Sequence, residues 1–106
     1  MNRGEVWWAR LPPPWHRRPV VLLSRDEAYG RLTWIIAAPL TTRLRTIPTA
    51  VSVNPDDDGM PEVSAVTLDN MQAIRVAWLE SLITRLSDER MIEVERAIRF
   101  ALGIRS

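Results

Sequence analysis

Three consecutive prolines, Pro12-Pro13-Pro14, interrupt the chain directly after the strand-forming run Glu5-Val6-Trp7-Trp8-Ala9-Arg10-Leu11, and no helix can pass through them. The segments that follow are just as short. Pro19 opens Val20-Val21-Leu22-Leu23-Ser24, a continuous apolar run ended by Arg25-Asp26-Glu27, which predicts a central strand buried on both faces. After a turn at Tyr29-Gly30, Leu32 to Ala38 reads as a third strand and Pro48 to Val53 as a fourth. Pro55-Asp56-Asp57-Asp58-Gly59 is a turn, because Asp bonds its own backbone and Gly supplies positive φ. Ser64 to Asp69 predicts a fifth strand, Val76 to Leu79 a single helical turn, and Leu82 to Leu86 a sixth strand. Only then does a helical pattern begin. Ser87 is its N-cap, Asp88 and Glu89 complement the dipole, Met91, Val94, Ile98, Ala101 and Leu102 form the apolar face, and Gly103 closes it. Short strands followed by one terminal helix predict a mainly β (α+β) fold, a small barrel or curled sheet capped by the helix.

A length of 106 residues predicts one domain, residues 1–106, with a modest core. The chain has no cysteine, so it carries neither disulfides nor thiolate metal sites. With no long apolar run and no signal-peptide pattern at its start, it reads as soluble and cytoplasmic. Its net charge of +1 conceals two unlike halves. Residues 1–53 carry eight arginines against Glu5, Asp26 and Glu27, a net of +5, whereas residues 54–106 carry six against ten acids, a net of −4. A basic surface that also offers hydroxyls and tryptophans suits a polyanion bearing bases, which places nucleic acid first among partners. Arginines that merely solvate sheet edges would give the same count. Lysine is absent altogether, a bias that weakens arginine as a phosphate signal.

Metal chemistry finds little support in the residues. His16 is the sole histidine, and the Asn54-x-Asp56-x-Asp58-Gly59 fragment has Ala65 where a calcium loop needs its bidentate Glu. There is no glycine-rich phosphate cradle and no Gly-x-Ser-x-Gly elbow. What remains is arginine, hydroxyl and one imidazole. Arg17 and Arg18 lie between a stiff loop and a buried strand, and guanidinium is a rigid fork suited to phosphate oxygens. Thr41 and Thr42 follow Pro39 at a strand end, where they either take part in chemistry or cap their own backbone.

Arg3-Gly4-Glu5-Val6-Trp7, Arg17-Arg18-Pro19-Val20-Val21, Ser24-Arg25-Asp26, Pro39-Leu40-Thr41-Thr42 and Leu86-Ser87…Ala101-Leu102-Gly103 occur in order along nearly the whole chain. Together they resemble the MazF/PemK family of toxin endoribonucleases from type II toxin–antitoxin systems. The resemblance implies an SH3-like barrel of the CcdB/MazF type with a C-terminal helix. It also implies a homodimer, an antitoxin partner of the MazE kind that binds through its C-terminal peptide, and sequence-specific cleavage of single-stranded RNA with no metal or other cofactor.

By the same resemblance, Arg18 and Thr41 are the catalytic pair. Arg18 would neutralise charge on the phosphate, and Thr41 would position the nucleophile or a phosphate oxygen. His16, the only side chain with an unperturbed pKa near neutrality, either assists proton transfer or is a solvent-exposed loop residue. Arg17, Arg25, Thr42, Arg43, Arg45, Asn70 and Gln72 complete the expected RNA-binding set, together with Trp15, which either stacks on a base or is a hydrophobic lid over the barrel or dimer interface. The chain departs from the family in a short first loop, Pro12 to His16, and in Gln72 where Arg is frequent. The competing implication is a non-catalytic SH3-like module that inhibits a protein target such as gyrase, and the Arg18/Thr41 pair favours the nuclease.

Overall fold

Strand β1, Glu5–Arg10, pairs antiparallel with β2, Arg17–Leu22, in a register that sets Val6 opposite Val21 and Arg10 opposite Arg17. A computed structural model describes residues 1–105, and all its strand pairings are antiparallel. Strand β3, Trp34–Thr41, follows, then β4, Ala50–Val53, the one-turn helix α1, Pro55–Asp58, and β5, Ser64–Thr67. The chain continues through β6, Gln72–Arg75, and β7, Leu79–Arg85, and ends in α2, Asp88–Leu102. The strand order is β4-β5-β3-β2-β1-β7, with β6 added to β3. This is the expected mainly β fold with a terminal helix.

β3 is where the sheet divides. One of its edges holds β2, while the other is shared, with β6 opposite Trp34 to Ala37 and β5 opposite Leu40 and Thr41. Pro39 falls in the gap between those two partners. Its carbonyl accepts Thr67 Oγ1 at 2.7 Å, so its edge faces β5, and its missing N–H breaks no ladder bond. The third strand therefore runs on through proline to Thr41, three residues beyond the expected end at Ala38, and begins at Trp34 rather than Leu32.

Alternation across the sheet divides the core in two. Val21, Ala38 and Leu40 join Val6, Val66, Leu68, Met91 and Val94 beneath α2, whereas Val20, Leu22, Ala37 and Ile35 join Ala9, Leu11, Tyr29 and Ile74 on the opposite face. The apolar run of β2 is thus explained by burial on both sides. Among the described residues, seven strands replace the six expected. β6 has four residues between tight helical turns at Leu68–Asn70 and Val76–Trp78, too short for period-two alternation to stand out.

The terminal helix starts as expected, with Ser87 Oγ accepting from Arg90 N at 3.1 Å and Gly103 in the left-handed region at φ 69°. Its inner face differs by one residue. Leu102 is 59 % exposed, and Ala97 is buried instead, because consecutive positions Ala101 and Leu102 stand about 100° apart and only one can face the sheet. Asn54 caps α1 by accepting from Asp57 N at 2.7 Å, so the expected turn over Pro55 to Gly59 is a helical one. Asp58, buried at the end of that turn, receives Arg90 Nε at 2.9 Å on one oxygen and a second guanidinium nitrogen at 3.1 Å on the other, tying α1 to α2.

Candidate active site

Arg18 enters β2 opposite Ala9, beside the turn that follows the three prolines. Its Nε donates to Trp15 O at 2.8 Å, and its Nη1 reaches Leu40 O at 3.4 Å. Its guanidinium carbon lies 5.4 Å from the centroid of the Trp15 ring. The side chain is therefore half-buried and held on two sides, with donors left over for a ligand. Thr41 is the last residue of β3, and its Oγ1 accepts Arg43 N at 3.1 Å. That bond fixes the rotamer and leaves the hydroxyl proton free to donate.

Two cavities meet at this pair. The first, of about 430 Å³, is lined by Trp15, Arg18, Thr41, Arg43, Arg45, Ile47, Thr49, Ala50, Ala65, Thr67, Asp69 and Asn70. The second, of about 560 Å³, is lined by Trp8, Arg17, Arg18, Pro19, Leu40, Thr41, Thr42, Met60, Pro61, Glu62 and Ser64. Arg18 and Thr41 line both, so a ligand passing from one cavity to the other crosses the guanidinium and the hydroxyl together.

The remaining expected residues divide between these walls and other places. Trp15, Arg43, Arg45 and Asn70 line the first cavity, and Arg17 and Thr42 line the second. Trp15 also packs against the second core cluster, as a lid over the barrel would. Arg25 lies elsewhere, in a depression shared with Arg3, Asp26 and Arg85. Gln72 sits on β6 opposite Ala37 and turns its amide to Asn70 O at 3.2 Å, lining neither cavity. His16 also lines neither. It is exposed at φ 57° and its carbonyl accepts Leu11 N at 2.9 Å, a backbone role in closing the loop. His16 is itself the left-handed residue of the loop, and being two residues from Arg18 does not bring it into either cavity.

Arg17 is not a free cation. Its Nε donates to Glu80 at 2.7 Å, its Cζ lies 4.3 Å above the Trp8 ring, and Arg10 joins the same carboxylate at 3.1 Å. The hydrogen bond from Arg17, and then that from Arg10, hold the Glu80 carboxyl below the usual glutamate range. Among the described residues, Arg43 and Arg45 have no carboxylate within ion-pair distance. Nor does any group of three His, Asp or Glu side chains converge as metal ligands, and no helix is long and apolar enough to cross a membrane. Sequence reasoning missed Trp8, Thr49, Thr67, Asp69 and Glu62. Of these, Trp8 carried a signal, as an aromatic on the strand paired with Arg17 and Arg18, and Asp69 another, as the first residue of the family-like segment that includes Gln72.

The family model of PemK-like, MazF-like toxins of type II toxin–antitoxin systems matches residues 2–102. The chain belongs to this family. The toxin is 42 % identical over 100 residues to a probable endoribonuclease, MazF5, of Mycobacterium tuberculosis, covering 94 % of this chain and 91 % of that one. It is 31 % identical over 111 residues to the endoribonuclease MazF of Staphylococcus saprophyticus, covering 98 % and 92 % of the two chains. Among solved structures it resembles the Mycobacterium tuberculosis toxin MazF-mt6 with a TM-score of 0.87 at 30 % identity, over 96 % of this chain and 99 % of that one. A mycobacterial endoribonuclease in complex with its cognate antitoxin superposes with a TM-score of 0.86 at 25 % identity, over 100 % and 98 %.

Proposed function

We propose that this RNA-cleaving toxin cuts single-stranded RNA by a metal-independent transesterification at the junction of its two cavities, with Arg18 and Thr41 as the catalytic residues. The observation that carries the reading is that this guanidinium and this hydroxyl belong to the two residues common to both cavity walls. The scissile phosphate sits between them, with nucleotides on either side in the two cavities.

In that arrangement the ribose 2′-oxygen attacks the adjacent phosphorus. The new P–O2′ bond forms as the P–O5′ bond breaks, leaving a 2′,3′-cyclic phosphate and a 5′-hydroxyl. The proton of the attacking hydroxyl passes to solvent, and the departing 5′-oxygen takes one up, so no water is consumed. Arg18 stabilises the charge that accumulates on the phosphate, a term that grows in the transition state and so accelerates the step. Thr41 donates to a phosphate oxygen or orients the 2′-hydroxyl. Arg43 and Arg45 hold the backbone along the first cavity, and Trp15 offers a ring for base stacking.

The same surface accounts for the toxin's control. A solved relative is in complex with its cognate antitoxin, and an acidic, apolar-studded antitoxin peptide fits a basic, Trp-bearing groove as RNA does. A homodimer in the cytoplasm, acting as one domain per chain, completes the reading. The test is incubation with long single-stranded RNA in EDTA, with the cut ends mapped. Cyclic phosphate ends and an intact all-DNA copy are expected, and DNA cleavage at a similar rate overturns the 2′-hydroxyl mechanism.

A further inference from the structure

Asp69 is out of place in a phosphate groove. It lines the first cavity with Arg18, Arg43 and Arg45, yet none of these arginines is within ion-pair distance of it among the described residues. Its partner is neutral instead. Thr49 Oγ1 donates to Asp69 Oδ2 at 2.6 Å, and Thr49, itself only 8 % exposed, is pinned through its carbonyl by Leu68 N at 2.9 Å. One carboxylate oxygen is thus held by the buried turn residue that precedes β4, while Oδ1 has no hydrogen-bond partner among the described residues.

A rigid anion there does two things. It repels phosphate, which biases the RNA backbone toward the arginine side of the same cavity. It also presents an acceptor to whatever part of the nucleotide faces away from that backbone, which is the base. Asn70 stands beside it with an amide that can donate to a ring nitrogen or carbonyl. An amino group next to an acceptor is the Watson–Crick edge pattern of cytosine and adenine, and guanine carries an amino group beside its imino N–H. Uracil has no amino group and offers a carboxylate only its N3–H, flanked on both sides by carbonyl oxygens that repel it.

Resting on the ribonuclease reading, we propose that Asp69, oriented by Thr49, reads the Watson–Crick edge of one RNA base and selects an amino-bearing base over uracil at that position. Thr49 is a positioning residue and Asp69 the contact. This is a specificity element built from groups that single-stranded RNA readers use, aimed at a splayed base rather than a duplex.

The test uses the full-length toxin and a short randomised pool of 2′-fluoro RNA, which cannot supply the attacking hydroxyl, with bound sequences counted. Wild-type protein is expected to enrich amino-bearing bases over uracil about tenfold at one position. Asp69→Asn, which keeps shape but adds donors, loses that preference at that position alone, and Thr49→Val weakens it with the salt slope unchanged. Unaltered base preference in Asp69→Asn overturns the proposal. So does a uniform loss of affinity for all sequences with a lowered melting temperature, which is the signature of a structural pin. Position-specific enrichment in a protein that cleaves no ordinary RNA would instead overturn the ribonuclease reading and leave Asp69 as a base reader.

Discussion

Arg18 and Trp15 hold each other twice, through a 2.8 Å hydrogen bond from Nε to the Trp15 carbonyl and through the guanidinium lying 5.4 Å from the indole centroid. The loop that carries Trp15 is therefore part of what aims the arginine, and the short, proline-stiffened connection between β1 and β2 acquires a purpose.

Arg18→Lys should fail to replace arginine. Lysine can approach a phosphate as a point charge but cannot bond the Trp15 carbonyl and a phosphate oxygen with one planar fork. A loss of about 100- to 1,000-fold in cleavage rate is expected, comparable to removing one fixed donor from an anion-stabilising site. Thr41→Ser should keep most activity and Thr41→Ala should not. Melting temperatures within a few degrees of wild type separate these effects from unfolding.

Glu80→Gln should strengthen RNA binding at low salt. The carboxylate draws Arg10 and Arg17 together beside the second cavity, so neutralising it frees cationic charge there. Every further phosphate that the freed arginines neutralise should steepen the logarithmic salt dependence by about 0.7 for a single strand, measured as affinity against salt concentration. Because the folded carboxyl titrates below the usual range, the wild-type clamp persists above that lowered value. It should be lost, with the same steepening, only as pH falls through it.

Asp58→Ala should destabilise the fold by about 3 kcal/mol, since it leaves Arg90 partly buried without its carboxylate. The Asn54 backbone N–H, which donates to the same carboxylate at 2.9 Å, loses its partner as well. Urea denaturation reads the loss. Cleavage per folded molecule should be unchanged, because the pair lies between α1 and α2 and lines neither cavity of the site.

Tyr29 provides a clean titration, as the chain's one tyrosine. Burial pushes its phenol up to about 12, and its hydroxyl donates to Ser24 O at 2.9 Å. With the folded value raised, the stabilisation is fully present below the ordinary phenol value near 10 and is lost as pH rises through about 12. Ultraviolet absorbance against pH should show the tyrosinate appearing near 12, or earlier only together with unfolding. A midpoint near 10 in a folded protein would contradict the burial.

What could be read from the chain was what neighbouring residues decide. The Ser87 cap, the Asn54-to-Gly59 turn and the two-sided burial of Val20 to Leu22 each follow from a few adjacent side chains. β6 did not announce itself because it exists as an edge to β3, not by its own pattern. Arg18 and Thr41 are proposed from the family-like motifs they occupy, and the structure sets both on the walls of the same two cavities. The Thr49–Asp69 pair and the Arg17–Glu80 pair join residues 20 and 63 positions apart, and no local signal links them. Arg25 shows the limit of counting charge: being basic does not determine which face a residue occupies.

The forked edge of β3 bears on when the toxin becomes dangerous. Thr41 is set in place by pairing with Ala65 on β5, and Arg18 leans on Leu40 of the strand between them. Local contacts from Trp15 and Arg43 begin to place the proposed pair, but they do not complete it. A chain still being synthesised, with β5 not yet emerged, holds both residues but no site, since such non-local pairings form late. Harm thereby waits on β5, and the ribosome producing the toxin works beside an inert polypeptide until that strand closes against β3.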